Sequence, residues 1–177
     1  NRVFASIASF MGDTRNRGKI LWFLITARPD LLPIDLKRQG RAEEHIPLFY
    51  PETVEEYSEL FQVMKKKLGF ATSVENLSEA APPERLLGLS GSDLEAVLVR
   101  AVLEAEAAEA DQVGVEHLRA AFEDFIPTSN SREREMQILA AVLECTSRSL
   151  LPEKFRDLDR GVIQARIAEI KRELRLS

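Results

Sequence analysis

The sequence predicts a mostly α-helical chain that begins with the remnant of a parallel α/β sheet and ends in a helical extension. Three features of its 177 residues carry this prediction. They are an unbroken apolar run, ILWFLITA at 20–27, a series of amphipathic segments from residue 53 onward, and a polar break, PTSNSRERE, near the end. We therefore divide the chain into a piece of an α/β domain (1–51), a helical domain (52–127) and a C-terminal helical extension (128–177).

The first section has the composition of a sheet fragment. The run at 20–27 is short, rich in β-branched and aromatic residues, and apolar on both faces, which favours a central parallel strand over a buried helix. HIPLFYP at 45–51 predicts a second short strand. Between them, residues 33–39 predict one or two helical turns that start at a proline and end at Gly40. Two strands cannot bury themselves, so this section belongs to a larger α/β domain.

Helical periodicity marks the rest of the chain. RVFASIASFM at the start predicts the end of a helix, with its apolar spacing set by Val3, Ile7 and Phe10, joined by Phe4 and Met11. VEEYSELFQVMKKKLG, GSDLEAVLVRAVLEAEAAEA and VEHLRAAFEDFI predict three amphipathic helices of the middle section. In the second of these, Ser92 and Glu95 have the spacing of a capping box. REMQILAAVLE and RGVIQARIAEIKREL predict two final helices that form an antiparallel hairpin or offer an apolar stripe to a neighbour.

Charge and cysteine content exclude several classes of protein. The net charge is −5, and residues 52–127 carry sixteen acidic side chains against six basic ones, which disfavours nucleic-acid binding there. No apolar run approaches the ~20 residues of a membrane helix, and no signal-peptide pattern opens the sequence. The single cysteine, Cys145, cannot form an internal disulfide, which fits a reducing compartment such as the cytoplasm. His45, His117 and Cys145 give no metal-ligand cluster, so no metal site is predicted.

Two motifs, in order, resemble the AAA+ ATPases. ITARPDLLPIDLKRQGR is similar to the stretch of that family that ends the sensor-1 strand and carries the arginine fingers. About fifty residues later, GLSGSDLEAVLVRA is similar to the Gly-x-Ser-Gly-Ala-Asp-Leu motif that opens a helix of the small lid domain. The resemblance covers about residues 1–126 and implies a P-loop-type sheet followed by an AAA+ helical lid. The last fifty residues have no recognised counterpart.

The resemblance implies roles for two arginines. Arg38 and Arg41 match the family's finger positions, where a guanidinium from one subunit reaches the γ-phosphate bound by its neighbour and offsets negative charge. Without the flanking pattern, the residues favour the alternative that both are surface arginines that pair with Glu43, Glu44 or Asp35. Thr26 lies in the sensor-1 segment, but Ala27 replaces the Asn that usually orients the attacking water, so Thr26 is either its substitute or an ordinary strand residue.

Gly91 and Ser92 match lid positions that lie against the adenine and ribose in relatives. A glycine permits close backbone approach, and a helix N-terminus favours polar groups. The alternative is that both residues simply begin a well-capped helix.

The sequence contains no Gly-x-x-x-x-Gly-Lys-Ser/Thr motif and no apolar strand that ends in Asp-Glu. Those motifs hold phosphates and magnesium, so the chain alone is not expected to bind or hydrolyse ATP. The resemblance therefore implies a C-terminal fragment of an ATPase. Its parent would use ATP with Mg²⁺, form a ring-like homo-oligomer and remodel a protein substrate, without membrane or nucleic acid. The alternatives are a stand-alone non-catalytic subunit that donates arginines to a partner, and a helical interaction module whose resemblance is fortuitous.

Overall fold

The computed structural model describes residues 2–127 and 131–176, with side chains to residue 174. Within these ranges the regular elements are helices, and no strand is formed. The α-helices are α1 (Arg2–Met11), α2 (Val54–Leu68), α3 (Pro83–Leu86), α4 (Gly91–Ala107), α5 (Val115–Asp124), α6 (Ser131–Glu144), α7 (Glu153–Arg156) and α8 (Arg160–Leu176). Short 3₁₀ turns lie at Thr14–Asn16, Pro29–Leu31, Leu77–Glu79 and Arg148–Leu150. The prediction of a mostly helical chain is confirmed.

The chain forms two compact units. The central unit holds residues 49–127, and the terminal unit joins residues 2–48 with 131–176. The three sections predicted from the sequence (1–51, 52–127 and 128–177) stay predictions, because the two units are defined by contacts between residues and not by boundaries along the chain.

The central unit is a helical bundle around one apolar core. Helix α2 begins at a capping box, in which Thr53 accepts from the backbone N–H of Glu56, and it ends at Gly69 with φ 73°. Its buried residues belong to the same core as those of α4 and α5, as their helical spacing predicts. The fully enclosed side chains are Tyr57, Phe61, Leu77, Leu86, Leu94, Val97, Leu98, Ala101 and Leu118. The three amphipathic helices predicted for this section are therefore present.

A buried tyrosine fixes the loop that leads into α4. The hydroxyl of Tyr57 donates to the carbonyl of Leu89 at 2.7 Å and accepts from the backbone N–H of Gly88 at 3.1 Å. Gly88 has φ 94°, a conformation that side-chain-bearing residues rarely adopt. The hydroxyl thus satisfies two backbone groups of a buried turn and sets where α4 starts.

The C-terminal end of α4 contains a strained residue. Glu109 has φ 53°, and the N–H of Ala110 donates to the carbonyl of Ala105 at 2.9 Å, so Glu109 holds a left-handed cap position that usually carries glycine. We expect Glu109→Gly to stabilise the protein by about 1 kcal/mol, because it relieves this strain and removes an anion from a negative helix end. Thermal unfolding would show a rise in Tm of several degrees.

The control for this prediction is a Glu→Gly substitution at a position where the backbone is helical. Glu104→Gly, within α4, should lower stability by about 1 kcal/mol because glycine disfavours a helix interior. A fall in Tm for Glu109→Gly would contradict the cap assignment.

In the terminal unit, α6 and α8 form an antiparallel hairpin. Arg132 pairs with Glu173, Arg166 pairs with Glu135, and Arg160 Nη2 donates to the carbonyl of Leu143. The buried apolar residues of the two helices are Met136, Ala140, Val142, Ile163, Ile167 and Ile170. The hairpin, one of the two arrangements left open by the sequence, is therefore the one observed.

Helix α1 is present, but its buried face differs from the prediction. Ala8 and Met11 are buried and pack with Leu36, while Val3 and Phe10 are exposed. Phe4 and Ile7 also pack against this cluster, so Phe4, Ile7 and Met11 are the members of the predicted apolar set that face inward.

The α/β remnant predicted at the N-terminus is not shown by the structure. In the described part of the chain, residues 20–27 and 45–51 form no strand and have no regular secondary structure. A strand exists only when it pairs with another, and the apolar composition that predicts a strand supplies no partner by itself.

Residues 33–39 form consecutive turns instead of the predicted helix. The N–H groups of Leu36 and Lys37 donate three residues back, to the carbonyls of Pro33 and Ile34, both at 3.0 Å. The turns end at Gly40, with φ 81°, as expected. So short a segment has too few bonds to form an α-helix, and the burial of Leu36 holds it in place.

Candidate functional site

The two predicted finger residues meet around one aspartate. The guanidinium of Arg38 is 3.4 Å from Asp35 Oδ1, and Arg41 Nη1 donates to the backbone carbonyl of Asp35. Arg38 is 66% exposed, while Arg41 is half-buried and its guanidinium lies beside Gly12. The structure therefore places the two arginines in different environments: Arg38 is an accessible cation, and Arg41 contributes to local packing.

Thr26 caps the turn after the apolar segment. Its Oγ1 accepts from the backbone N–H of Arg28 at 3.0 Å, and its side chain is exposed. This local hydrogen bond is what the alternative interpretation of Thr26, as a residue without a role at the nucleotide, leads one to expect. Thr26 is, however, exposed and lies in no strand. The sensor-1 role stays a prediction.

Asp30 connects this turn to helix α8. Arg28 donates to its two carboxylate oxygens at 2.9 and 3.0 Å, and Lys171 Nζ lies 3.1 Å from Oδ2. The hydrogen bonds from Arg28, with a smaller contribution from Lys171, lower the pKa of Asp30 to about 2, although partial burial opposes this. This network was not predicted, because Asp30 and Lys171 are far apart in the chain and no motif relates them.

We expect Asp30→Asn to destabilise the terminal unit by about 1–2 kcal/mol at pH 7. The lowered pKa means that the ionised carboxylate stabilises the fold above pH 4, and that this stabilisation is lost as the pH falls from 4 towards 2. Arg28 and Lys171 are partly exposed, so water screens the ion pairs and reduces their contribution to stability. Urea unfolding of both proteins at pH 7 and pH 2.5 measures the difference, which should shrink at the lower pH.

Asp35→Asn is the matched control, because the carboxylate of Asp35 forms an exposed ion pair with Arg38. As a surface ion pair, it should contribute less than about 0.5 kcal/mol to stability. Equal losses from the two substitutions would contradict the role given to Asp30.

Gly91 and Ser92 lie in the first turn of α4, and the cap of this helix was predicted wrongly. The N-cap is Ser90, whose Oγ accepts from the N–H of Asp93 at 3.0 Å while Asp93 Oδ2 accepts from the N–H of Ser90 at 2.9 Å. Ser92 is exposed, with its hydroxyl 3.0 Å from that of Ser90. The sequence contains two overlapping boxes, Ser90–Asp93 and Ser92–Glu95, and the earlier start gains two residues of helix.

The first turn of α4 suits a neutral ligand group better than a phosphate. Asp93 is nearly buried and already places a carboxylate at the positive end of the helix. A phosphate would meet that charge, whereas a ribose or adenine would meet the backbone at Gly91 and the exposed hydroxyl of Ser92. The cofactor-binding role of Gly91 and Ser92 stays a prediction.

Metal binding and membrane insertion are two further properties that can be judged for the described residues. No group of three or more His, Cys, Asp or Glu side chains there could hold a metal ion. None of the described helices is both long enough and apolar enough to cross a membrane.

Comparison with known proteins identifies the chain as related to the AAA+ ATPases, which confirms the resemblance carried by its two motifs. It is similar to the Cell division cycle protein 48 homolog of Archaeoglobus fulgidus, with 30% identity over 135 residues, or 71% of this chain and 18% of that protein. It is also similar to Protein CdcH of Halobacterium salinarum, with 30% identity over 129 residues, or 72% of this chain and 17% of that protein.

The chain thus spans less than a fifth of the length of these two curated relatives. No protein-family model matches it, and no solved structure matches it.

Proposed function

We propose that this chain is the C-terminal part of an AAA+ ATPase that couples ATP hydrolysis at subunit interfaces to protein remodelling. In this proposal the chain supplies the arginine finger and the helical lid, and it is inactive alone. The parent uses ATP with Mg²⁺, assembles as a ring-like homo-oligomer and acts in the cytoplasm on a protein substrate.

The observation that carries the proposal is the exposure pattern of the apolar segment before the arginines. Leu21, Phe23 and Ile25 are 79%, 78% and 94% exposed, whereas Ile20, Trp22 and Leu24 are 43%, 39% and 40% exposed. An alternation with a period of two residues is typical of a strand, and Ile20, Trp22 and Leu24 form its less exposed side. Its other face and its backbone are uncovered, and a sheet in a larger α/β domain is what such a segment requires.

The turn after this segment supports a finger role for Arg38. Consecutive turns connect Arg38 to the apolar segment, and within them Leu36 is buried while Arg38 is exposed. Its pair with Asp35 is exposed and weak, so the guanidinium can exchange this partner for a phosphate of a neighbouring subunit. A planar, permanently charged group suits the γ-phosphate and its developing charge. Arg41, by contrast, supports the turn on which Arg38 lies.

The central unit supports the lid role. Its bundle places Gly91 and Ser92 at the start of α4, held by the capping box and by the buried hydroxyl of Tyr57. In the parent, these residues would contact the adenosine part of ATP, while the phosphates and Mg²⁺ would be held by residues of another part of the protein.

The test is the natural gene product, purified from its source, with its mass and its rate of ATP hydrolysis measured beside those of this chain. We expect a mass well above 20.0 kDa, ATP turnover by the natural product and none by the chain. A natural product near 20.0 kDa without turnover would contradict the proposal and leave the stand-alone subunit that donates Arg38 to a partner.

A further inference from the structure

His45 connects the turn after the arginines to the end of helix α6. Its Nδ1 lies 2.7 Å from the backbone carbonyl oxygen of Glu144, and its Nε2 lies 2.8 Å from that of Ala42. Its backbone N–H also donates to Thr146 Oγ1 at 3.0 Å. The ring is 21% exposed, so both ring contacts are largely shielded from water.

Both ring nitrogens face groups that can only accept hydrogen bonds. A neutral imidazole has one N–H and one lone pair, so it can satisfy one carbonyl and must point its lone pair at the other. An imidazolium has two N–H groups and satisfies both carbonyls. The geometry around His45 is therefore that of the protonated ring.

The charged groups around the ring agree with a cation there. Glu144 Oε2 is 3.8 Å from Nδ1, while the other oxygen of Glu144 is paired with Lys37 at 2.7 Å. Glu144 is the last residue of α6, where unpaired carbonyls give the helix a partial negative charge. The neighbouring thiol of Cys145 is directed to the carbonyl of Ser147, and Glu43 accepts from the backbone of Gly40.

We infer that His45 forms a proton-dependent link, here called the latch, between two segments. It joins the turn that carries Arg38 and Arg41 to the hairpin of α6 and α8. When the ring carries two protons, it holds Ala42, the residue after Arg41, against the end of α6. When it loses one proton, one of the two hydrogen bonds is replaced by a contact between a lone pair and a carbonyl oxygen. The latch is therefore closed while the ring carries two protons and weakens when the ring loses one. This inference does not depend on the proposed ATPase.

The first experiment observes the ring nitrogens directly. The sequence has two histidines, and His117 provides an internal control, because its Nδ1 accepts from the N–H of Gly114 at 2.9 Å and so carries no proton. Nitrogen-15 NMR of the whole chain at pH 6.0 should show two protonated nitrogens in His45 and an unprotonated Nδ1 in His117. A neutral tautomer for His45 at pH 6.0 would overturn the inference.

The second experiment measures the consequence for stability. Trp22 is the one tryptophan of the sequence and packs edge-on against Phe10 at 5.7 Å, so its fluorescence reports on the terminal unit. In urea titrations, the unfolding equilibrium constant of the wild type should rise about tenfold between pH 6 and pH 8, since a hydrogen bond to a charged group is lost. His45→Gln should remove this pH dependence.

Two controls separate the latch from other titrating groups. Glu144→Gln keeps the backbone carbonyl that accepts from Nδ1, so most of the pH dependence should remain. His117→Gln, in the central unit, should leave the Trp22 transition unchanged. Unaltered pH dependence in His45→Gln, or its complete loss in Glu144→Gln, would overturn the inference.

Discussion

Phe61→Ala is expected to destabilise the protein by about 3–5 kcal/mol. The Phe61 ring is completely buried between α2 and the rest of the central core, with the Phe70 ring 6.4 Å away. Truncation would remove the apolar contacts of the ring and leave a cavity. The surrounding helices can move into this cavity only in part, because each is held by its other contacts. Because a domain of this size is stable by only about 5–15 kcal/mol, the loss would be a large fraction of the total.

Urea unfolding followed by far-UV circular dichroism measures this loss. Val63→Ala is the matched control: it shortens an apolar side chain of the same helix, but one that is 65% exposed, and it should change stability by less than about 0.5 kcal/mol. Phe61→Leu, which refills much of the cavity, should lie between the two. A loss below about 1 kcal/mol for Phe61→Ala would show that this core is not packed as described.

The central unit illustrates what periodicity can predict. Tyr57, Phe61 and Met64 recur at helical spacing, and each of them is buried. Here the information is local, since residues three and four apart on a helix share a face whatever the partner helix is. The start of α4 was missed by two residues for the opposite reason: two capping boxes overlap, and local spacing alone does not rank them.

The terminal unit illustrates where local information ends. The run at 20–27 has the composition of a strand, but pairing depends on residues elsewhere, and the described chain supplies no partner strand. The contacts of Asp30 with Lys171 and of His45 with Glu144 span more than ninety residues each. No pattern within a sequence window predicts contacts between such distant residues.

The candidate site was predictable in part. The positions of Arg38 and Arg41 followed from the resemblance. Their different burial could not be predicted, because both are arginines close to Gly40 and nothing local in the sequence distinguishes them. The structure separates them: Arg38 is exposed with a weak partner, and Arg41 is packed beside Gly12. A test of the finger must therefore use Arg38, because replacement of Arg41 would also disturb the fold.

In the intact parent, Arg38→Ala is expected to lower kcat for ATP hydrolysis by about 10³–10⁵-fold, the range known for removal of an arginine finger. ATP binding should remain nearly unchanged, because a finger acts on charge that develops in the transition state more than on the bound nucleotide. Arg38→Lys should also be strongly impaired, since it keeps the charge and loses the planar fork. Steady-state turnover and nucleotide titration measure the two effects separately.

Arg15→Ala is the matched control for this prediction, because Arg15 is an exposed arginine of the same unit whose partner is Asp13. It should leave turnover within about twofold of the wild type, as expected for an exposed surface residue outside the site. Mixed oligomers give an independent readout, since a subunit without its finger should inactivate the nucleotide site of its neighbour, while its own site, which receives the finger of another subunit, stays active. Full turnover by Arg38→Ala would contradict the finger assignment, and equal loss in Arg15→Ala would show that overall positive charge, and not a particular guanidinium, sustains hydrolysis.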